Sequence, residues 1–296
     1  VNNELLDEVK LQVVQSIQKK EEDWFSDAFD QFKGALVASS SIIAYPISGS
    51  IDVVEGATQS DIQHYIKRIQ TESPLKIIIQ ASNPKKYKAI IQRDIHAFKS
   101  REGVALPELQ FNDSSKTKTF KLKQPVGVVM SATRVDSLTT VERYISFQMI
   151  DALLSGMRYP SGLLHSRLRG EQLVYVVHAL PVRFSGEDLL FVYALTDSEN
   201  VKKVAGIIQK SMNDVTTSVT PKQFELAKAQ VLFNMENTMQ NMGSKSNEVV
   251  QQYIRFGSVI PYQTFKQTLD EITLDDVQTM AKTMFDGHTL FAEFNP

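Results

Sequence analysis

Cysteine is absent from all 296 residues. That absence excludes disulfides, a thiolate nucleophile and cysteine-ligated zinc together, and it leaves the compartment open. Charge of one sign is lacking too: the net charge is −2, so no bulk basic field calls for nucleic acid or an anionic membrane surface. No apolar run approaches the ~20 residues that a membrane-spanning helix needs. The five histidines, His64, His96, His165, His178 and His288, are scattered, and none has a second histidine within one helical turn. Isolated in this way, they read as surface or satisfied structural residues. The chain also starts without methionine and carries Glu4, Asp7 and Glu8 early, the pattern expected of a fragment or processed piece rather than a signal peptide.

What is present reads as globular: 42% of residues are apolar and 22% charged, enough for one large domain or two smaller ones with cores. The stretch 161–194 organises the rest. It opens with polar and basic residues, among them Arg167 and Arg169, and narrows to Gly170 and Glu171. Two β-rich runs follow, 173–179 and 188–194, with Ser185-Gly186-Glu187 in the turn between them. The spacing predicts a hairpin fed by a short helix, with Tyr175 carried on its first strand.

From the N-terminus, Leu6, Val9, Val13 and Ile17 recur at helical spacing, as do Phe25, Ala28, Phe29, Phe32 and Leu36, predicting two amphipathic helices. Trp24 and its neighbouring phenylalanines read as core packing at this spacing. Thr58-Gln-Ser-Asp61 matches a helix-start box, in which hydroxyl and carboxylate each take a free amide of the first turn. Its helix runs to about Thr71 and stops before Pro74, a strand follows over 75–80, and Asn83-Pro84 closes the unit. The C-terminal part repeats this layout. Thr220-Pro-Lys-Gln223 opens a helix that contains Ala227-Lys-Ala-Gln-Val231, an echo of Val9-Lys-Leu-Gln-Val13. Thr273-Leu-Asp-Asp276-Val-Gln278 echoes Thr58-Gln-Ser-Asp61-Ile-Gln63, and the strand 289–294 ends in Asn295-Pro296. An internal repeat accounts for this agreement in residues, order and terminator.

Between the copies the pattern predicts strands at 117–122 and 127–132, a helix opened by Thr139-Thr-Val-Glu142, the hairpin, and a helix through Val201, Val204, Ala205 and Ile208. The fold class expected is α+β, an antiparallel sheet covered by helices on one face. Residues 115–296 form one complete repeat, 1–84 the second half of another whose sheet strands lie upstream, and 85–114 a connection, partly helical through Ile90, Ile91 and Ile95.

The residues then resemble a known family, the insulinase/pitrilysin zinc peptidases. The elements that carry the likeness are Ser155-Gly156, Ser161-Gly-Leu163, Arg167-Leu-Arg169, Glu171-Gln-Leu-Val-Tyr175, Glu225-Leu-Ala-Lys228 and Thr273-Leu-Asp-Asp276-Val-Gln278, in that order. The catalytic half of that family holds zinc with H-x-x-E-H, two imidazoles one helical turn apart and a carboxylate that takes a proton from the metal-bound water. This sequence has no such pair. The resemblance therefore implies the non-catalytic C-terminal half, with no metal of its own and zinc in the catalytic half, which is part of the same polypeptide or a partner subunit. It implies a peptide substrate enclosed between the halves. It also implies an arginine and a tyrosine near the hairpin that reach the substrate. Tyr175 falls on the family tyrosine. The family arginine lies seven residues earlier, at Leu168 here, so Arg169 is preferred through a one-residue deletion at Gly170, with Arg167 as the alternative. A proteolytically inactive scaffold subunit of the same fold, like the core subunits of a respiratory complex, is the second reading.

Overall fold

A computed structural model describes residues 3–72, 76–94, 108–112, 117–156 and 161–296. Pro74, the start of the expected strand at 75, and the linker residues Ile95, His96, Arg101, Gly103 and Pro107 lie outside them. The chain divides into two units, residues 1–21 with 46–107, and residues 22–45 with 108–296. Where the expected boundaries fall at 84 and 114, residues 85–107 group with the first unit, and residues 22–45 group with the C-terminal part.

In the first unit, helix α1 (Asn3–Glu21) is tied to the segment around α3 by Lys10 Nζ, which donates to Glu55 O at 2.8 Å, and Lys20 Nζ, which donates to Ser48 Oγ at 2.9 Å. The other helices here are α3 (Ile51–Gly56), α4 (Gln59–Glu72) and α5 (Pro84–Asp94); α2 (Trp24–Leu36) belongs to the second unit. The predicted box is present: Asp61 N–H donates to Thr58 Oγ1 at 3.2 Å while Thr58 N–H donates to Asp61 Oδ2 at 2.8 Å. In the described part of the strand expected over 75–80, residues 76–80 join no ladder with the described residues. A strand exists only where a neighbour takes its backbone groups, whatever the run of isoleucines prefers. Pro84 starts α5 instead of ending a unit, as its fixed φ and missing N–H suit a first helical position.

The second unit is built on five strands, β1 (Lys118–Lys121), β2 (Gly127–Val135), β3 (Val176–Phe184), β4 (Glu187–Thr196) and β5 (Thr289–Asn295), in the order β1-β5-β2-β4-β3. All pairings are antiparallel except β1 with β5, which is parallel. The hairpin turns at Ser185 (φ 49°) and Gly186 (φ 92°), two left-handed residues whose twist suits the flanking strands.

Side chains alternate across the sheet. Val129, Val177, Ala179, Leu190, Val192 and Ala194 face the main helical layer: α6 (Val141–Leu154), the single turn α7 (Gly162–Leu164), α8 (Val201–Thr217), α9 (Pro221–Gln240), α10 (Met242–Phe256), α11 (Tyr262–Glu271) and α12 (Leu274–Phe285). Val128, Met130, Leu189, Phe191 and Phe294 face the other way and are partly covered by α2, where Phe29 meets Phe191 edge-on at 5.4 Å. The α+β class stands, with one helix added on the second face. The helix expected to open at Thr139 opens one residue later: Thr140 caps α6, accepting from Arg143 N–H at 3.3 Å. The boxes at Thr220 and Thr273 form as predicted, the latter with Thr58-like distances of 2.9 and 3.2 Å.

Candidate functional site

The approach to the hairpin is shaped by two close contacts. Gly162 has φ +88°, and a Cβ there would stand 2.8 Å from the Leu154 carbonyl. This lets the chain turn tightly against the end of α6. From His165 to Arg169 it winds as a π-helix: Gly170 N–H donates to His165 O at 3.1 Å, and Leu173 N–H to Leu168 O at 2.9 Å, each spanning five residues. A Cβ on Gly170 would collide with Ser166 O, so the turn requires glycine. Single π turns are uncommon and concentrate at functional positions.

This turn separates the two candidate arginines. Arg167 points into the fold, where Nη2 pairs with Asp214 Oδ2 at 2.7 Å and Nη1 donates to Ser211 Oγ at 3.1 Å, both on α8. Arg169 is exposed and has no hydrogen bond or ion pair with any described residue. Leu168, seven residues before Tyr175, is fully buried. Tyr175 stands just before β3 rather than on it. Its N–H donates to Leu195 O at 2.8 Å, and the residue is 59% exposed. Its hydroxyl donates to Asp197 Oδ1 at 2.9 Å, a bond that raises the phenol pKa above its ordinary 10. The phenol can therefore donate to another acceptor only by releasing Asp197.

Behind Arg169 the fold brings together two histidines that the sequence shows only as isolated residues. The ring of His165, on the π turn, meets that of His178, on β3, at 5.7 Å between centroids, and His178 in turn meets Tyr193 at 5.6 Å. His165 is buried, and neither of its ring nitrogens has a partner among the described residues. Burial first holds both imidazoles below their ordinary 6.5; His178 adds to this at His165, and the charge of Arg169 adds to it at both. No sequence signal marks the pair, because 13 positions and a change of secondary structure separate its members.

The described residues do not fit a zinc site. Among the described residues no three histidine, aspartate or glutamate side chains come together as ligands, and the imidazole pair lies beside a guanidinium that opposes a second cation.

The second unit is thus a five-stranded α+β fold that exposes an arginine and a tyrosine on the approach to its central hairpin. The chain belongs to the family described as the peptidase M16 inactive domain, which it matches over residues 56–231. It is 23% identical over 156 residues to an uncharacterized zinc protease of Rickettsia felis, a match covering 53% of this chain and 38% of that protein. It spans well under half of that curated relative. Among solved structures, a peptidase M16 inactive domain from Pseudomonas fluorescens superposes with a TM-score of 0.81 at 12% identity, covering 100% of this chain and 71% of that one. A chain of complex III2 from Candida albicans superposes with a TM-score of 0.71 at 14% identity, covering 97% and 70%. At these identities the two structures show a shared fold.

Proposed function

We propose that this chain is the substrate-enclosing, non-catalytic portion of an insulinase/pitrilysin-like zinc peptidase that cleaves peptides or small proteins. In this reading zinc is held by a catalytic half, in the same polypeptide or in a partner subunit, and supplies the activated water there. Arg169 and Tyr175 reach the bound peptide from this side. The observation that carries the assignment is the division of labour at the π turn. Arg167 is spent on Asp214 and Ser211, while Arg169 keeps all its donors for a ligand, in the same approach to β3 as the exposed Tyr175. A guanidinium fork and a phenol can both donate to a peptide carbonyl and to the oxyanion that develops from it, more strongly once water is shut out.

The half-repeat reading of residues 1–84 is supported by burial. Helices α4 and α12 start with the same box, yet α12 buries Val277, Met280, Ala281 and Met284 whereas α4 leaves Ile66 and Ile69 more than 40% exposed. An apolar stripe of this kind is made for a sheet that the rest of the parent protein supplies. The likeness to a complex III chain is one of fold and does not favour the scaffold reading.

The test is peptide cleavage by the parent protein, or by this chain recombined with its catalytic half. Arg169→Ala and Tyr175→Phe are each expected to lower kcat/KM about 10²-fold, roughly 3 kcal/mol of transition-state stabilisation. Unchanged rates in folded variants would refute the assigned roles.

A further inference from the structure

Away from the hairpin, α6, α9, α10 and α11 enclose a cleft of about 490 Å³, a size that takes a small organic molecule. Three polar atoms in its lining residues are buried without a hydrogen-bond partner among the described residues: Asp151 Oδ1 on α6, and Gln230 Nε2 and Asn234 Oδ1 on α9. Gln230 and Asn234 lie one helical turn apart and therefore on one face. The orientation of the Gln230 amide is fixed, because Ser161 Oγ donates to its Oε1 at 2.9 Å and leaves Nε2 as the free end. Its carboxamide is also packed where a Cβ on Gly156 would collide with it, and Gly156 has φ +53°. The site is thus built around this side chain, which is 9% exposed.

Buried polar atoms are nearly always paired, and each one left bare costs free energy. Two unused acceptors and one unused donor specify the complement: a group with several N–H donors beside an oxygen acceptor. Met235, Met239, Val249 and Phe265 give the rest of the cleft an apolar wall. Neither histidine nor cysteine lines it, so the donor set suits an organic cation rather than a transition metal. Glu248, which accepts from Gln252 Nε2 at 3.0 Å, and the half-buried Lys245 also line the cleft.

We infer that this cleft binds a small primary amine with a carbonyl oxygen on the neighbouring carbon and an apolar side chain, the chemistry of an amino-acid amide or of the amino end of a short peptide. The ammonium donates to Asp151 Oδ1 and Asn234 Oδ1, the carbonyl accepts from Gln230 Nε2, and the side chain packs on the methionines. Asp151 sits at the fulcrum of protonation: burial alone lifts its pKa from 3.8 to about 7, so an arriving cation finds a carboxyl that ionises with little further cost. The site is independent of the roles assigned to Arg169 and Tyr175.

The test is calorimetric titration of the 296-residue chain with phenylalaninamide at pH 7. Saturable one-to-one binding is expected, weakened at least about tenfold (~1.4 kcal/mol) by Asp151→Asn and by Gln230→Leu. N-acetyl-phenylalaninamide, which keeps the carbonyl and ring but has no ammonium, is expected not to bind. Where Gln230→Leu fails to fold, Asn234→Leu tests the other end of the same pair. Phe-Gly-Gly-Gly distinguishes the two sources: binding equal to the amide marks a peptide end, and exclusion marks a free amino amide. No saturable heat with folded protein, equal binding of the acetylated compound, or an unchanged affinity in Asp151→Asn overturns the inference.

Discussion

Arg167 and Asp214 hold the π turn onto α8 through a 2.7 Å ion pair, reinforced by the 3.1 Å bond from the same guanidinium to Ser211 Oγ. The pair is about a quarter to a third exposed on each side, so solvent reduces its worth. Arg167→Met is expected to cost about 1–2 kcal/mol in urea unfolding, and a double-mutant cycle with Asp214→Ala to show coupling between the two. In the cleavage test of the proposed function, Arg167→Met should lower kcat/KM far less than Arg169→Ala. The reverse ranking would transfer the substrate-facing role to Arg167.

The His165–His178 pair makes stability depend on acid. Both imidazoles have folded-state pKa values below the ordinary 6.5, so the unfolded chain binds more protons as pH falls through that region. Stability is therefore full above about pH 6.5 and is lost on acidification below it. Thermal unfolding at pH 5 and pH 7.5 measures this, and His165→Leu is expected to shrink the difference.

Asp151 has the opposite sign. Its carboxyl titrates at about 7 when folded against 3.8 as the ordinary value, so between those values the folded chain holds the extra proton. Stability then declines as pH rises from about 4 to 7, by on the order of 4 kcal/mol for the full shift. Asp151→Asn should remove this decline and raise the unfolding midpoint at pH 8. An unchanged slope would show that the carboxyl is hydrated in solution.

Asp188, at the start of β4, is 5% exposed and takes two bonds from Arg255 of α10, at 2.7 and 2.8 Å. The Arg255 guanidinium also lies 4.9 Å from the centre of the Tyr144 ring on α6. Removing one partner leaves the other charge buried, so Asp188→Ala is expected to cost about 3–5 kcal/mol. Asp188→Ala with Arg255→Met should recover part of that loss. An Asp188→Ala chain as stable as wild type would place the pair in solvent.

The sequence by itself determined the local elements. Hydroxyl-carboxyl and hydroxyl-amide boxes marked the starts of α4, α9 and α12, Ser185-Gly186 marked the hairpin turn, and the helical period of 24–36 named the face of α2 that is buried. Such signals are legible because a cap or a turn is satisfied within four residues, and an apolar period needs only its own helix. Where the local rule met a non-local requirement it failed: residues 76–80 have the composition of a strand but join no ladder among the described residues, and Tyr175 stops one residue short of β3.

Only the tertiary structure decided the rest. It set β1 parallel to β5 and laid α2 on the second face of the sheet. It gave Arg167 to α8 while leaving Arg169 exposed, brought His165 to His178, and gathered Asp151, Gln230 and Asn234 around one cleft. The physical reason is common to all of these. Charge pairing, desolvation and the satisfaction of buried polar atoms act over a few ångströms of space, and no spacing along the chain encodes which distant residues will meet there.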